Sequence, residues 1–194
     1  MLTDRSGDIH AFNTPFYGGI HGRKLAAPVT GIAIVEATGG YWLTTRSGVV
    51  YSVHAPARGS LAGRRLAAPI VGMAADGSAY LLVSSASRVF SFGTPNYVSL
   101  SRRPAAPVVG IAVDRLTGGY WLTTSTGKVY RFHAPAHGSV TRRLRNPIVG
   151  ITADGNGYLL VTTTGTVYNF NTPSYGSVSR PRALAPVIGI GFSA

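Results

Sequence analysis

Cysteine is absent from the 194 residues, which excludes a disulfide framework and a thiolate metal site. Acidic residues are scarce: six Asp and Glu stand against 18 Lys and Arg, for a formal net charge of +12. Paired carboxylates for general acid and base work, as in glycoside hydrolysis, would have to come from those six. No run of 18 apolar residues occurs, so no segment reads as a membrane-spanning helix. No basic stretch followed by an apolar one opens the chain, so no signal peptide is expected in it. No window carries the 3.6-residue apolar stripe of an amphipathic helix.

What the sequence does contain is repetition. Thr38–Thr45 reads TGGYWLTT, and the same eight letters return at Thr117–Thr124. A second string fixes a shorter period: PVTGI, PIVGM, PVVGI, PIVGI and PVIGI begin at Pro28, Pro69, Pro107, Pro147 and Pro186, at intervals of 41, 38, 40 and 39 residues. The unit is therefore about 40 residues long. The copies that skip TGGYWLTT carry the related SAYLLVSS (Ser78–Ser85) and NGYLLVTT (Asn156–Thr163), so the units alternate as if a pair had been duplicated.

Each unit reads as four short strands punctuated by Gly, Pro and Asp-Gly turns. The first is the Pro-led string and the second is Tyr-Trp-Leu-Thr-Thr. The third includes Val50-Tyr-Ser-Val53 and Val129-Tyr-Arg-Phe132, and the fourth is built of small residues, as in His137-Gly-Ser-Val140. Four antiparallel strands in such a length make one propeller blade. The chain ends just after a first strand, from Pro186, and begins inside a second. The expected fold is thus an all-β, five-bladed propeller forming one domain over 1–194, closed by a blade shared between 1–27 and 186–194. It is expected to be a monomer.

The cations are not spread evenly. The links between units carry Arg23, Lys24, Arg64, Arg65, Arg102, Arg103, Arg142, Arg143, Arg145, Arg180 and Arg182. The turns between second and third strands add Arg5, Arg46, Arg88 and Lys128, so 15 of the 18 cations are expected on one face. Four of the six acids (Glu36, Asp76, Asp114, Asp154) fall in first-hairpin turns on the other. A face of this kind attracts polyanions: anionic cell-wall polymers, acidic glycans or nucleic acid. Arg pairs in exposed loops also keep a repeat protein soluble.

Chemistry is harder to place. The two remaining acids, Asp4 and Asp8, flank the Arg5-Ser6-Gly7 turn, and no carboxylate pair stands apart from the repeat. His133 and His137 are four apart but in a loop holding Pro135, a poor frame for zinc. No nucleophile elbow or phosphate loop is present. The chain is expected to be non-catalytic, with no cofactor and no metal.

Repetition offers multivalency instead. The loop before the fourth strand places an amide or imidazole at Asn13, His54, His133 and Asn171, and a flat side chain at Tyr17, Arg58, Tyr97, His137 and Tyr175. Stacking groups beside hydrogen-bonding groups suit a sugar, so these nine are the candidate glycan-binding residues. The competing account is structural: Tyr covers a neighbouring blade and Pro shapes the loop.

The pattern P-[VI]-V-G-[IM]-A, G-Y-W-L, S-x-G-x-V-[YF]-x-F and Y-G-S runs through the whole chain. It resembles the GYWL-type β-propeller repeats of actinobacterial secreted and cell-wall proteins. That resemblance implies a surface or carbohydrate-binding role and an extracellular or cell-surface location for the parent protein. In fold and blade number the chain is also similar to tachylectin-type five-bladed lectins. It departs from the actinobacterial pattern where Gly-Asp normally follows the third strand: Asn13-Thr14, His54-Ala55, Gly93-Thr94, His133-Ala134 and Asn171-Thr172 stand there instead. Its links are also unusually rich in arginine. The expected function is a lectin-like binding module for glycans or anionic cell-wall polymers. The alternatives are a structural or engineered repeat propeller without a small ligand, and nucleic-acid binding through the basic face.

Overall fold

A computed structural model of the chain describes residues 2–11, 16–20, 22–94, 98–178, 187 and 190. The described residues contain strands and turns and no helix. They form four three-stranded antiparallel sheets and one two-stranded sheet, in two compact units, Met1–Ser101 and Arg102–Ala194.

In the first unit β1 (Leu2–Thr3) pairs with β2 (Ile9–His10). The next sheet is β3 (Val29–Ile34), β4 (Tyr41–Thr45) and β5 (Val50–Val53), and the third is β6 (Ile70–Asp76), β7 (Ala79–Ser84) and β8 (Val89–Phe92). The second unit holds β9 (Val108–Val113), β10 (Tyr120–Thr124) and β11 (Val129–Phe132), then β12 (Ile148–Asp154), β13 (Gly157–Thr162) and β14 (Val167–Phe170). Each sheet is an up-and-down meander, as the turn chemistry predicts.

The middle strands β4, β7, β10 and β13 are buried along their whole length. Covered on both faces, they carry the near-continuous apolar runs read in the sequence. Their aromatics join one sheet to the next: the Trp42 and Tyr80 rings lie 5.0 Å apart, and those of Trp121 and Tyr158 5.1 Å apart. Each indole N–H also finds an acceptor within its own repeat, Trp42 at the Pro56 carbonyl (2.8 Å) and Trp121 at that of Pro135 (2.9 Å). Truncating a side chain of this size to alanine costs ~3–5 kcal/mol. The tryptophans are thus packing residues and not exposed stacking platforms.

The Pro-led string has a structural cause. Its second β-branched position is a bulge, marked by register shifts between Val29 and Gly31, Ile70 and Gly72, and Ile148 and Gly150. At the following glycine two first strands come close. A Cβ on Gly110 would lie 2.9 Å from Ile151 Cγ2, so only glycine fits.

Within each unit, backbone hydrogen bonds tie one repeat to the next. The N–H of Arg46, after β4, reaches the Pro28 carbonyl, and the Arg46 carbonyl accepts from Ile70 of β6. Ser125 does the same between Pro107 and Ile148, and Thr163 between Pro147 and Val187. Val29 of β3 donates to Arg5.

The sequence predicts a fourth strand in each blade, and the structure corrects this. The segments around 57–61, 137–140 and 175–178 form no ladder. Gly59, Gly138 and Gly176 within them have φ of 102°, 105° and 84°, far from the extended values of a regular strand. The third strand is instead met by a serine hydroxyl: Ser99, Ser139 and Ser177 accept from the N–H of Val89, Val129 and Val167, each at 2.9 Å. Of the shared blade expected from 1–27 and 186–194, the first part is described around β1 and β2, and the second part lies outside the described residues except for 187 and 190.

Candidate functional site

The loop after the third strand brings the first set of candidates together. His54, His133 and Asn171 all sit in the left-handed region, with φ of 50°, 53° and 54°, and Gly93 in the same register has 78°. Asn, His and Gly tolerate that conformation better than branched residues do. The amide and imidazole pattern read as sugar-binding is therefore accounted for by backbone conformation.

The flat side chains are engaged too. Tyr17 stacks on His54 with ring centroids 4.1 Å apart and planes 15° apart, and its hydroxyl donates to the Thr38 carbonyl at 3.2 Å. Arg58, in the equivalent position, passes over Gly93 and donates to the Ser78 carbonyl (2.8 Å) and hydroxyl (2.9 Å). His137 lies against Trp121 and Tyr158. Asn171 donates to Asn156 Oδ1 at 2.6 Å, and Tyr175 to Asp154 Oδ2 at 2.8 Å. The Asp154 bond raises the Tyr175 phenol above its ordinary value. Asn13 and Tyr97 lie outside the described residues.

The candidate cations are arranged differently. Arg23, Lys24, Arg64, Arg65, Arg102, Arg103, Arg142, Arg143 and Arg145 are all exposed, and Arg180 and Arg182 lie outside the described residues. Among the described residues, the one side-chain hydrogen bond made by a link cation is from Arg142 Nη2 to the Tyr168 hydroxyl, at 2.9 Å. The guanidinium carbon of Arg142 sits 5.3 Å from the centroid of the same ring. Turn cations stack in the same way: Arg88 on Phe90 at 5.2 Å and Lys128 on Tyr130 at 5.0 Å. Such stacking holds a cation in place without neutralising it.

Two clefts in the first unit meet at Arg23. One, of about 490 Å³, lies between the 17–23 segment and β5 and is lined by Tyr17, Arg23, Tyr51 and Ser52 with apolar neighbours. The other, of about 620 Å³, is lined by Arg5, Ser6, Asp8 and Arg23 beside the 25–28 link. A turn cation and a link cation thus share one cleft. Sequence reading missed the contribution of the third strand. Its second residue is aromatic in every described repeat (Tyr51, Phe90, Tyr130, Tyr168), and that regularity was the available signal.

The acids serve turns. Asp4 Oδ1 accepts from Ser6 N, Ser6 Oγ and Asp8 N, led by the Ser6 hydroxyl, and this holds the Asp4 carboxyl below the ordinary value. Asp114, fully buried, accepts from Leu116 N and Thr117 Oγ1. No group of three or more His, Cys, Asp or Glu placed to hold a metal occurs among the described residues.

No protein-family model matches the chain, and no curated protein matches it in sequence. Solved structures resemble it in shape. The computationally designed Ika4 protein matches with a TM-score of 0.50 at 11% identity, over 76% of this chain and 92% of that one. Raptor from Chaetomium thermophilum matches with 0.50 at 10% identity, over 80% of this chain and 16% of that one. The nidogen/laminin complex gives 0.49 at 14% identity, over 86% and 85%. At such identities the likeness is one of fold: repeated antiparallel sheets of propeller type.

Proposed function

We propose that the chain is a non-catalytic, multivalent binding module that takes an anionic polymer through the arginines of its links. The polymer class is an acidic glycan or an anionic cell-wall polymer. The observation that carries this reading is a contrast in how the polar groups are used. The described loop residues suited to a neutral sugar are held by backbone conformation or internal contacts. The described link cations are exposed, and six acids cannot neutralise 18 cations. The fuller architecture belongs to the proposal: a monomeric five-bladed ring closed by 1–27 and 186–194, of the GYWL repeat type, in a secreted or cell-surface protein.

A chain with several weak cation sites gains avidity when its ligand is also repetitive. Binding to polygalacturonate or heparin is expected to weaken steeply with added salt, since releasing bound counterions drives such association. The quadruple variant R64Q/R65Q/R142Q/R143Q should lose most of the affinity and flatten the salt dependence. An affinity indifferent to both salt and these four substitutions overturns the reading. Equal or tighter binding to duplex DNA of matched charge would favour nucleic acid instead. A purely structural role is supported by the same internal contacts, and it predicts no polymer binding at physiological salt.

A further inference from the structure

The cleft between the 17–23 segment and β5 brings together side chains of complementary chemistry. Tyr51 and Tyr17 supply flat rings, Arg23 a planar cation, and Ser52 an exposed hydroxyl, in about 490 Å³. That volume is within the range of small-ligand sites, ~300–1,000 Å³. We propose that this cleft is a subsite for an acidic pyranose residue, such as a uronate unit of a polymer. The inference rests on the anionic-polymer reading above and names the chemistry of one unit of that polymer.

The chemistry follows from the side chains. One face of a pyranose is lined with C–H groups and packs on an aromatic ring, the complement Tyr51 offers. A uronate carries its carboxylate at the ring edge, where a guanidinium can grip both oxygens. Ser52, which also lines the cleft, carries a hydroxyl able to exchange a hydrogen bond with a sugar hydroxyl. Tyr17 is fixed from two directions, by its stack on His54 and its hydroxyl bond to Thr38. A wall held in this way loses little freedom on binding.

The second unit shows that the arginine and the strand aromatic reach each other. Arg142 stands five residues before Pro147, as Arg23 stands five before Pro28, and Tyr168 is second on β14 as Tyr51 is on β5. There the guanidinium lies over the ring and bonds its hydroxyl, a geometry that leaves most of its N–H donors open. Arg23 also lines the cleft that holds Arg5, Ser6 and Asp8. A polymer leaving the sugar subsite past Arg23 meets the cation of Arg5 next. Asp8 sets the limit of that path, because its carboxylate repels a second acid placed against it.

The test is titration calorimetry of the full chain with trigalacturonate, its fully methyl-esterified analogue, and inorganic sulfate at matched ionic strength. Trigalacturonate should bind at least about tenfold tighter than the ester, since only the free acid engages the guanidinium fork. R23Q and Y51A should each lose about tenfold or more, with circular dichroism and melting temperature confirming the fold. Y51F keeps the ring and should stay within about threefold of the parent, which covers the case of Y51A failing to fold. Equal binding of the ester, indifference to R23Q, indifference to a folded Y51A, or sulfate competing as well as the sugar overturns the subsite. The two proposals fail separately. Salt-insensitive polymer binding with retained Arg23 and Tyr51 dependence removes the broad reading and leaves the cleft. Salt-sensitive polymer binding without that dependence removes the cleft alone.

Discussion

The hydroxyl of the middle-strand tyrosine is the sharpest test of how the sheets are joined. Tyr80 donates to the carbonyl of Gly59, and Tyr158 does the same to Gly138 at 2.6 Å. Tyr80→Phe keeps the ring, with its 5.0 Å contact to Trp42 and 5.2 Å contact to Phe92, and removes only the oxygen. One neutral hydrogen bond between protein groups contributes ~0.5–1.5 kcal/mol net. Gly59 is exposed, so water can take over its carbonyl and the loss should lie near ~1 kcal/mol. For a domain of this size that is a fall of roughly 2–4 °C in Tm. The same hydroxyl gives a pH signature. Burial pushes the Tyr80 phenol from the ordinary 10.0 up to about 12. The unfolded chain therefore gives up this proton first. The stability tied to it is complete below about pH 10 and is lost as pH rises through about 12. Urea denaturation at pH 7, 9, 10.5 and 11.5 should show a steeper alkaline loss in the parent than in Y80F, with a residual slope from Tyr158, also raised to about 12. A Y80F protein equal to the parent in both Tm and alkaline slope would refute this account of sheet joining.

Other substitutions probe the loop behind the candidate site. Gly40→Ala puts a Cβ 1.9 Å from the His54 carbonyl oxygen, and a backbone clash of this size should cost more than about 4 kcal/mol, read as loss of folded protein on expression. His133→Gly should leave stability within about 1 kcal/mol, because relief of the left-handed backbone offsets glycine's extra entropy. His133→Val should lose about 2 kcal/mol or more in urea titration, since a branched residue resists φ of 53°. Neither change should alter polymer binding. Loss of binding in a folded His133→Gly protein would return the imidazole to the list of ligand groups.

Much of the strand order was legible in the sequence. The 40-residue period, the Tyr-Trp-Leu core strand and the Asp-Gly turns each follow from local rules, and all three correspond to paired strands. The fourth strand was not legible. Tyr-Gly-Ser and its relatives have the alternation of a strand, but whether glycine adopts a positive φ depends on what packs beside it, as for Gly48, whose Cβ would lie 2.9 Å from Leu61. The candidate site divides in the same way. Exposure of the arginines follows from their loops. The meaning of His54, His133 and Asn171 does not, because one residue preference serves both a ligand and a left-handed turn. The part played by Tyr51 and Tyr168 needed spatial neighbours more than 20 residues away in sequence.

The turn residue that stitches one sheet to the next uses only its main chain for the task. Arginine fills that position at 5 and 46, serine at 125, and threonine at 163. Scaffold and surface potential are therefore separately adjustable. A lineage, or a designer, could swap cationic side chains there for neutral or anionic ones, and so redirect which polymers the surface attracts, while the stitching beneath stayed as it was.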